Sequence, residues 1–322
     1  MIEKLMQISE PWLQYAIRSS PLWPDGENLD DAKKEALKDD KIQSCLKGVA
    51  DFHGVPVTNH KNPVLPIHRL LFLLDIGFDT GTAEIASAVE QIIAHSDRFG
   101  VYQSLTNVPK HFGGMGENTY GWCLCDAPLL LLALIKAKIG YKPFVQNGVA
   151  HLVTLCGDQG FPCSVSEEHG AFRGPGRKGD CCPYATLSML NLISESNEYR
   201  DSAVAKNGID ALLSLWENSL TRHPYMFYMG TDFRKLKAPA IWYDIVSVAD
   251  CLSKFPYAIS DARFIDMTEI IKGKRGENGM YTPESVYQKC KGWDFGQKKT
   301  VSPYLTFLCE RLFARLSSAK YA

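Results

Sequence analysis

The sequence predicts an all-α fold, a closed ring of paired helices, and three observations predict it. First, five prolines each open an apolar, helix-like run, at Pro66, Pro128, Pro183, Pro239 and Pro303, and these stand 62, 55, 56 and 64 residues apart. Proline suits the first helical position, where its missing N–H has no partner to lose and its φ is already helical. Near-even spacing of such starts is the mark of a repeat. Second, an amphipathic helical stretch follows each of the first four runs, at 82–96, 142–156, 197–217 and 260–272. Third, long irregular segments rich in glycine and aromatics close each pair, at 99–121, 157–180, 218–237 and 273–301. The unit is helix, short turn, helix, long loop.

The elements follow from side-chain pattern. Residues 129–133 are apolar all round, which suits an inner helix with neighbours on every side. The second helices carry charge on one face and read as an outer layer. Inner helices wrapped by outer ones give an α/α toroid of about five to six hairpins, with an open solenoid of helix pairs as the structural alternative. The long unequal loops favour the closed ring with a functional mouth. One domain over 1–322 is expected, with repeats over 64–317. Residues 1–63 add one or two helices (5–19 and 31–49) that complete or plug the ring.

Bulk properties bound the function. A formal net charge of −1 gives no basic field for nucleic acid. No apolar stretch reaches the ~20 residues of a membrane helix, and the N-terminus lacks a signal peptide's apolar core. The expectation is a cytoplasmic protein without a transmembrane segment. Its ten cysteines then read as thiols, ligands or nucleophiles rather than disulfides.

Three loop ends carry a resemblance: Asp97-Arg98-Phe99-Gly100-Val101-Tyr102, Gly157-Asp158-Gln159-Gly160-Phe161 and Arg275-Gly276-Glu277-Asn278-Gly279-Met280-Tyr281. They resemble the glycine-aromatic turns of the terpenoid-cyclase and protein-prenyltransferase superfamily. The chain looks most like the bacterial prenyltransferase/squalene-oxidase-repeat proteins. Asp180-Cys181-Cys182 resembles the Asp-x-Cys that supplies two zinc ligands in protein prenyltransferases, which implies a zinc ion on Asp180 and Cys182. That family's third ligand, a histidine, is replaced here by Trp242-Tyr243-Asp244. Asp244 or the loop residue His169 would take its place; failing both, no metal is held. Trp122-Cys123 with Glu168-His169-Gly170 bears a weaker similarity to the lanthionine cyclases. The D-x-D-D run of protonating terpene cyclases and the D-D-x-x-D of ionising ones are both absent.

In a ring of this kind all inner helices start at one end, where their N-termini carry partial positive charge. Polar residues at those starts are the site candidates. The loop 157–183 gathers Cys163, Glu167, Glu168, His169, Arg173, Arg177, Lys178, Asp180, Cys181 and Cys182. His169, Asp180, Asp244 and Asp126 are the expected catalytic groups, with His169 as proton carrier because imidazole titrates near working pH. An aspartic acid held neutral by burial is the other route to protonation, with Asp244 or Asp126 as the acid. Trp122, Arg173, His223, Tyr228, Trp242, Tyr243 and Tyr304 are the expected substrate contacts, the aromatics through cation–π effects of ~0.5–2 kcal/mol each. For each of these the plainer reading is a cap, a solvated charge or core packing.

The function expected is an enzyme acting on a small, largely apolar or partly anionic molecule in the ring by acid–base or metal-assisted lyase, hydrolase or cyclase chemistry. A prenyl or terpenoid transferase using an allylic diphosphate is one alternative. A non-catalytic toroid that binds a protein or peptide is another.

Overall fold

Five apolar helices build the inner wall of the computed structural model: Pro66–Asp75, Ala127–Lys136, Pro183–Ile193, Ile245–Leu252 and Pro303–Ala319. The residues described are 1–23, 28–172, 180–221, 223–224 and 229–319. Each inner helix packs on the next in chain order. Ala127 to Leu134 are all buried, as is the Pro183 helix apart from Asn191. Truncating any of these leucines to alanine would cost about 2–5 kcal/mol.

The outer helices are Ala83–Ile93, Gln146–Val153, Ala203–Glu217 and Ala262–Gly273. Ala203–Glu217 shows how they attach. It buries Ala205, Gly208, Ile209, Leu212, Leu213 and Trp216, the three- and four-residue steps of one helix face, against the Pro183 helix. The fold is an α/α toroid of helical hairpins. Among the described residues its sheet content is one antiparallel pair, Ser104–Asn107 with Asn118–Gly121, in register Ser104 to Gly121. Among the described residues no helix is long and apolar enough to cross a membrane.

The N-terminal segment lies between the first and last inner helices. Ile2–Ile8 packs on the Pro303 helix. In Pro11–Ser19, Trp12 lies 5.7 Å from Phe72 and 5.3 Å from Tyr304 between ring centroids, and the Tyr15 hydroxyl donates to the Gly77 carbonyl at 2.6 Å. Two expected N-terminal helices become four. Breaks fall before Pro11, whose ring cannot donate the bond a continuous helix needs, and at Asp39, whose carboxylate caps a new start through Lys41 N and Ile42 N.

One expected helix start is displaced. The Pro239 run becomes helical only at Ile245. Two bonds explain the delay. The Ile241 carbonyl is taken by the Tyr184 hydroxyl at 3.0 Å, and Asp244 Oδ1 accepts from Ser247 N at 2.9 Å, which makes Asp244 the cap. The strand pair inside the loop 99–121 was also not expected, and the outer stretch 142–156 divides into Tyr141–Phe144 and Gln146–Val153.

At their C-terminal ends the inner helices are tied by charge. Asp75 accepts from Arg311 at 2.7 Å and Lys136 at 3.3 Å, and Asp250 accepts from Arg315 at 3.2 Å. Arg311 thereby joins the last inner helix to the first. Burial opposes ionisation of Asp75, but Arg311 and Lys136 overcome it and hold the carboxyl well below the usual range.

Candidate functional site

The inner-helix starts gather at the opposite end. Asp126 precedes the Ala127 helix and is fully buried. Its Oδ1 accepts from Cys123 N at 2.9 Å, and its Oδ2 lies 3.3 Å from His60 Nε2. The His60 carbonyl accepts from His68 Nε2 at 2.8 Å. Burial lowers His68 to about 4, so it is a neutral donor fixed in one tautomer. His60 and His68 thus join Asp126 to the start of the Pro66 helix. Spacing could not show this, because the partners lie 66 residues apart.

His169 ends the short turn Glu167–His169 and is 2 % exposed. Its ring lies over Gly121, where a Cβ would stand 2.7 Å from Nε2, so any larger residue there must push the imidazole aside. Burial depresses its pKa, with Asp126 opposing, so the imidazole is kept neutral. Nε2 is buried and has no hydrogen-bond partner among the described residues.

Asp244 is the second buried carboxyl at this end. With Oδ1 used as the cap, Oδ2 has no hydrogen-bond partner among the described residues. Burial raises its pKa to about 6 against the capping bond from Ser247 and the charge of Lys237. The Lys237 ammonium sits 3.4 Å from the centroid of the Tyr287 ring. The Tyr287 hydroxyl is likewise buried without a hydrogen-bond partner among the described residues. Tyr184 and Tyr287 are both buried between the two halves of the site, and burial raises the pKa of each hydroxyl well above the usual phenol value. The Trp242 ring packs on Tyr184, tilted by 31° at 4.0 Å between centroids, and the Lys61 ammonium lies 4.9 Å from the Trp242 ring centroid.

Cys182 caps the Pro183 helix, its Sγ accepting from Ala185 N at 3.4 Å. Its other neighbours are the thiols of Cys125 and Cys163, which hydrogen-bond to it and lower its pKa well below the usual thiol value. The three cysteines come together because the loop folds back on the turn before Ala127. Leu124 N donates to the Ser164 carbonyl at 2.9 Å, Ser166 N to Trp122 O at 2.9 Å, and Cys182 N to Phe161 O at 2.7 Å.

The expected site residues therefore separate. Asp126, His169, Asp244, Trp242 and Tyr243 lie at or beside this end, with Tyr243 buried against Phe233 at 5.1 Å. Trp122 is turned to the outer layer: its indole donates to Asp97 at 2.8 Å and stands edge-on to His151. Tyr304 is buried in the aromatic cluster of Trp12, Phe72 and Phe295. Asp180 and His223 line a hollow of about 300 Å³ with Cys181, Asp158, Asp210 and Ser214. Arg173, Arg177, Lys178 and Tyr228 fall outside the described residues. His60, Lys61, Cys125, Lys237 and Tyr287 were missed. The aromatic-cation pairs and the histidine–aspartate contact join distant segments, and no local motif announces them.

Of the expected ligand set Asp180, Cys182 and His169, Cys182 has the thiols of Cys125 and Cys163 as neighbours and Asp180 lines the hollow beside Cys181. Among the described residues no group of three or more His, Cys, Asp or Glu side chains is arranged to hold a metal ion. A further hollow of about 310 Å³ lies beside the mouth. Pro239 and Ile241 form one wall, with Phe72, Trp293, Arg69 and Lys289 around it.

No family model matches the sequence, and no curated protein does. Among solved structures the chain is similar to a type II terpene cyclase, MstE from Scytonema, in a variant complexed with its substrate geranylgeranyl dihydroxybenzoate. The identity is 11%, with 97% of this chain and 87% of that one covered, at a TM-score of 0.42.

Proposed function

We propose that the chain is an enzyme that protonates a small, largely apolar molecule at the mouth of the ring, a lyase, cyclase or hydrolase working by acid–base chemistry. One observation carries the reading: Asp244 Oδ2 is buried and without a hydrogen-bond partner among the described residues, on a carboxyl whose pKa is raised to about 6. A carboxyl of this kind keeps its proton close to neutral pH and can give it to a bound molecule. His169 is the complementary base, since its imidazole is neutral and Nε2 has a lone pair or proton to spend. The two groups have environments that push them towards opposite roles, acid raised and base lowered. Positive charge developing on the substrate would meet the faces of Tyr184 and Trp242, for ~0.5–2 kcal/mol each.

The substrate's form is read from the hollow beside the mouth. Phe72 and Trp293 offer apolar surface, and among the charged lining residues the cations Lys41, Arg69 and Lys289 outnumber the one carboxylate, Asp40. A small molecule with an apolar body and one anionic group fits that lining. The acid and base act without a metal; metal analysis of protein purified without added zinc tests the zinc expectation separately.

The test is a turnover screen of small apolar carboxylates and alkenes, followed by Asp244→Asn and His169→Gln on any that react. Asp244→Asn should lose activity by at least about a hundredfold, in line with loss of a general acid. Full activity in Asp244→Asn would remove the assignment. In the wild type the rate should fall as pH rises through about 6, where Asp244 gives up its proton.

A further inference from the structure

Three segments far apart in sequence deliver one thiol each to the start of the Pro183 helix. Cys125 comes from the turn before Ala127, Cys163 from the loop strand running beside it, and Cys182 from the helix cap itself. The thiols of Cys125 and Cys163 are neighbours of each other and of Cys182, close enough to perturb its ionisation. The backbone fixes this meeting. Cys123 pairs with Val165 and Pro162 with Cys181 in antiparallel bridges, so the loop strand is held between the other two. Cys182 Sγ accepts the Ala185 N–H at 3.4 Å, at the positive end of an eleven-residue helix, a setting that favours sulfur as an anion. Cys182 is buried, whereas Cys125 and Cys163 are partly buried and pack against the core. All three are free thiols. The acid–base chemistry proposed above uses none of them.

We propose that this trio is an oxidation site for hydroperoxides, in which Cys182 is the attacking sulfur and Cys163 or Cys125 closes a disulfide with it. The Cys182 thiolate attacks one peroxide oxygen; the S–O bond forms, the O–O bond breaks, and the alkoxide or hydroxide leaves to take up a proton. Sulfur is oxidised by two electrons to the sulfenic acid, and the peroxide is reduced to alcohol or water. A neighbouring thiol then attacks the Cys182 sulfur. The S–S bond forms, the S–O bond breaks, and hydroxide leaves as water with the neighbour's proton. Two thiols and one hydroperoxide give one disulfide, one alcohol or water, and one water. Two resolving thiols beside one attacking thiol mean that the sulfenic acid is captured before further oxidation. The resulting bond would fasten the start of the Pro183 helix to the loop strand or to the turn before Ala127.

The test uses the full chain and hydrogen peroxide. Reduced protein is titrated with about one equivalent, alkylated, and mapped by peptide mass spectrometry without reductant. The expected product is a Cys182–Cys163 or Cys182–Cys125 linkage formed before any change at Cys156 or Cys181, the partly buried cysteines outside the trio. Cys163→Ser and Cys125→Ser should each keep one linkage. The double variant should hold a dimedone-reactive sulfenic acid at Cys182. First oxidation at Cys156 or Cys181, or a Cys182 still alkylated as free thiol, would overturn the proposal. So would a thiol trio that resists peroxide until a chelator removes bound metal. Because the bond itself is mapped on wild-type protein, the result is independent of whether Asp244 is a catalytic acid, and dithiothreitol should reverse it.

Discussion

Asp75 and Asp244 are the same residue at opposite ends of the ring, and their surroundings drive them in opposite directions. Asp75 lies among the inner-helix C-termini, where backbone carbonyls make a carboxylate unwelcome. Two cations nonetheless hold it ionised, Arg311 at 2.7 Å and Lys136 at 3.3 Å. Asp244 lies at a helix N-terminus, where a carboxylate is favoured, yet burial raises it to about 6 because one oxygen has no partner. The contrast teaches that partners, more than helix polarity, decide the charge of these buried groups. It also divides labour. At the floor each carboxylate has a cation against it, and these pairs hold the ring; at the mouth Asp244 has a carboxyl oxygen with no hydrogen-bond partner among the described residues, which leaves it open to a ligand.

The floor is the stronger side of this comparison, so breaking it should have the largest effect. Arg311→Met leaves the partly buried Asp75 and Asp250 with one cation fewer, and the cost should approach that of breaking a buried pair, about 3–5 kcal/mol. Urea unfolding at pH 7 should show that loss; a change under about 1 kcal/mol would mean that the pairs are incidental. Asp244→Asn should act the other way. Asparagine keeps the cap and removes a carboxylate that must be ionised in the apolar mouth, a gain of roughly 2–3 kcal/mol at pH 8. Asp244 has a raised pKa, so its contribution to stability is fully present below about pH 4, the unfolded value, and is lost as pH rises through about 6. The gain should therefore vanish in unfolding curves taken at pH 4. Asp75, depressed, contributes above its unfolded value and loses that contribution in stronger acid. Equal effects of Asp244→Asn at both pH values would erase the difference between the two ends.

A smaller test concerns how the loops return to the wall. Phe161 N donates to Thr186 Oγ1 at 3.1 Å, and Tyr281 N to Thr306 Oγ1 at 3.0 Å. Replacing either threonine by valine keeps the shape and leaves a buried N–H unpaired, for about 1–3 kcal/mol. Thr186→Val should also raise hydrogen exchange in the loop 157–172, which carries His169, whereas Thr306→Val should leave that loop unchanged. Equal exchange in both variants would show that the clip does not position the mouth. Gly121→Ala should have the smallest effect on folding, about 1 kcal/mol or less if the loop yields. It should still shift the His169 imidazole resonances, because the added carbon points at Nε2.

Much of the ring was legible because helix starts are local chemistry. Proline at 66, 128, 183 and 303 lies in the first turn of an inner helix, and Asp126, Cys182 and Asp244 stand at the N-caps. Pro239 misled because the next strong cap, Asp244, lies five residues on, and the intervening backbone is committed to Tyr184. The site was legible only in part. Asp126, His169 and Asp244 follow from their places at helix starts and in the loop. The meeting of Cys125, Cys163 and Cys182, the His60–Asp126 contact and the place of Tyr287 depend on how long loops fold across one another, and periodicity carries no information about that. Asp180 and Cys182 are two residues apart, yet they serve different surroundings.

The two threonine clips have a consequence for how this scaffold could vary. In each, the clipped residue and its threonine are 25 positions apart, and a glycine with positive φ, Gly160 or Gly279, precedes the clip by one or two residues. Each excursion thus leaves and rejoins the wall through the same fastening, whatever lies between. The two excursions are in this sense interchangeable cartridges: one could be rewritten or transplanted while the helix beneath it keeps its place.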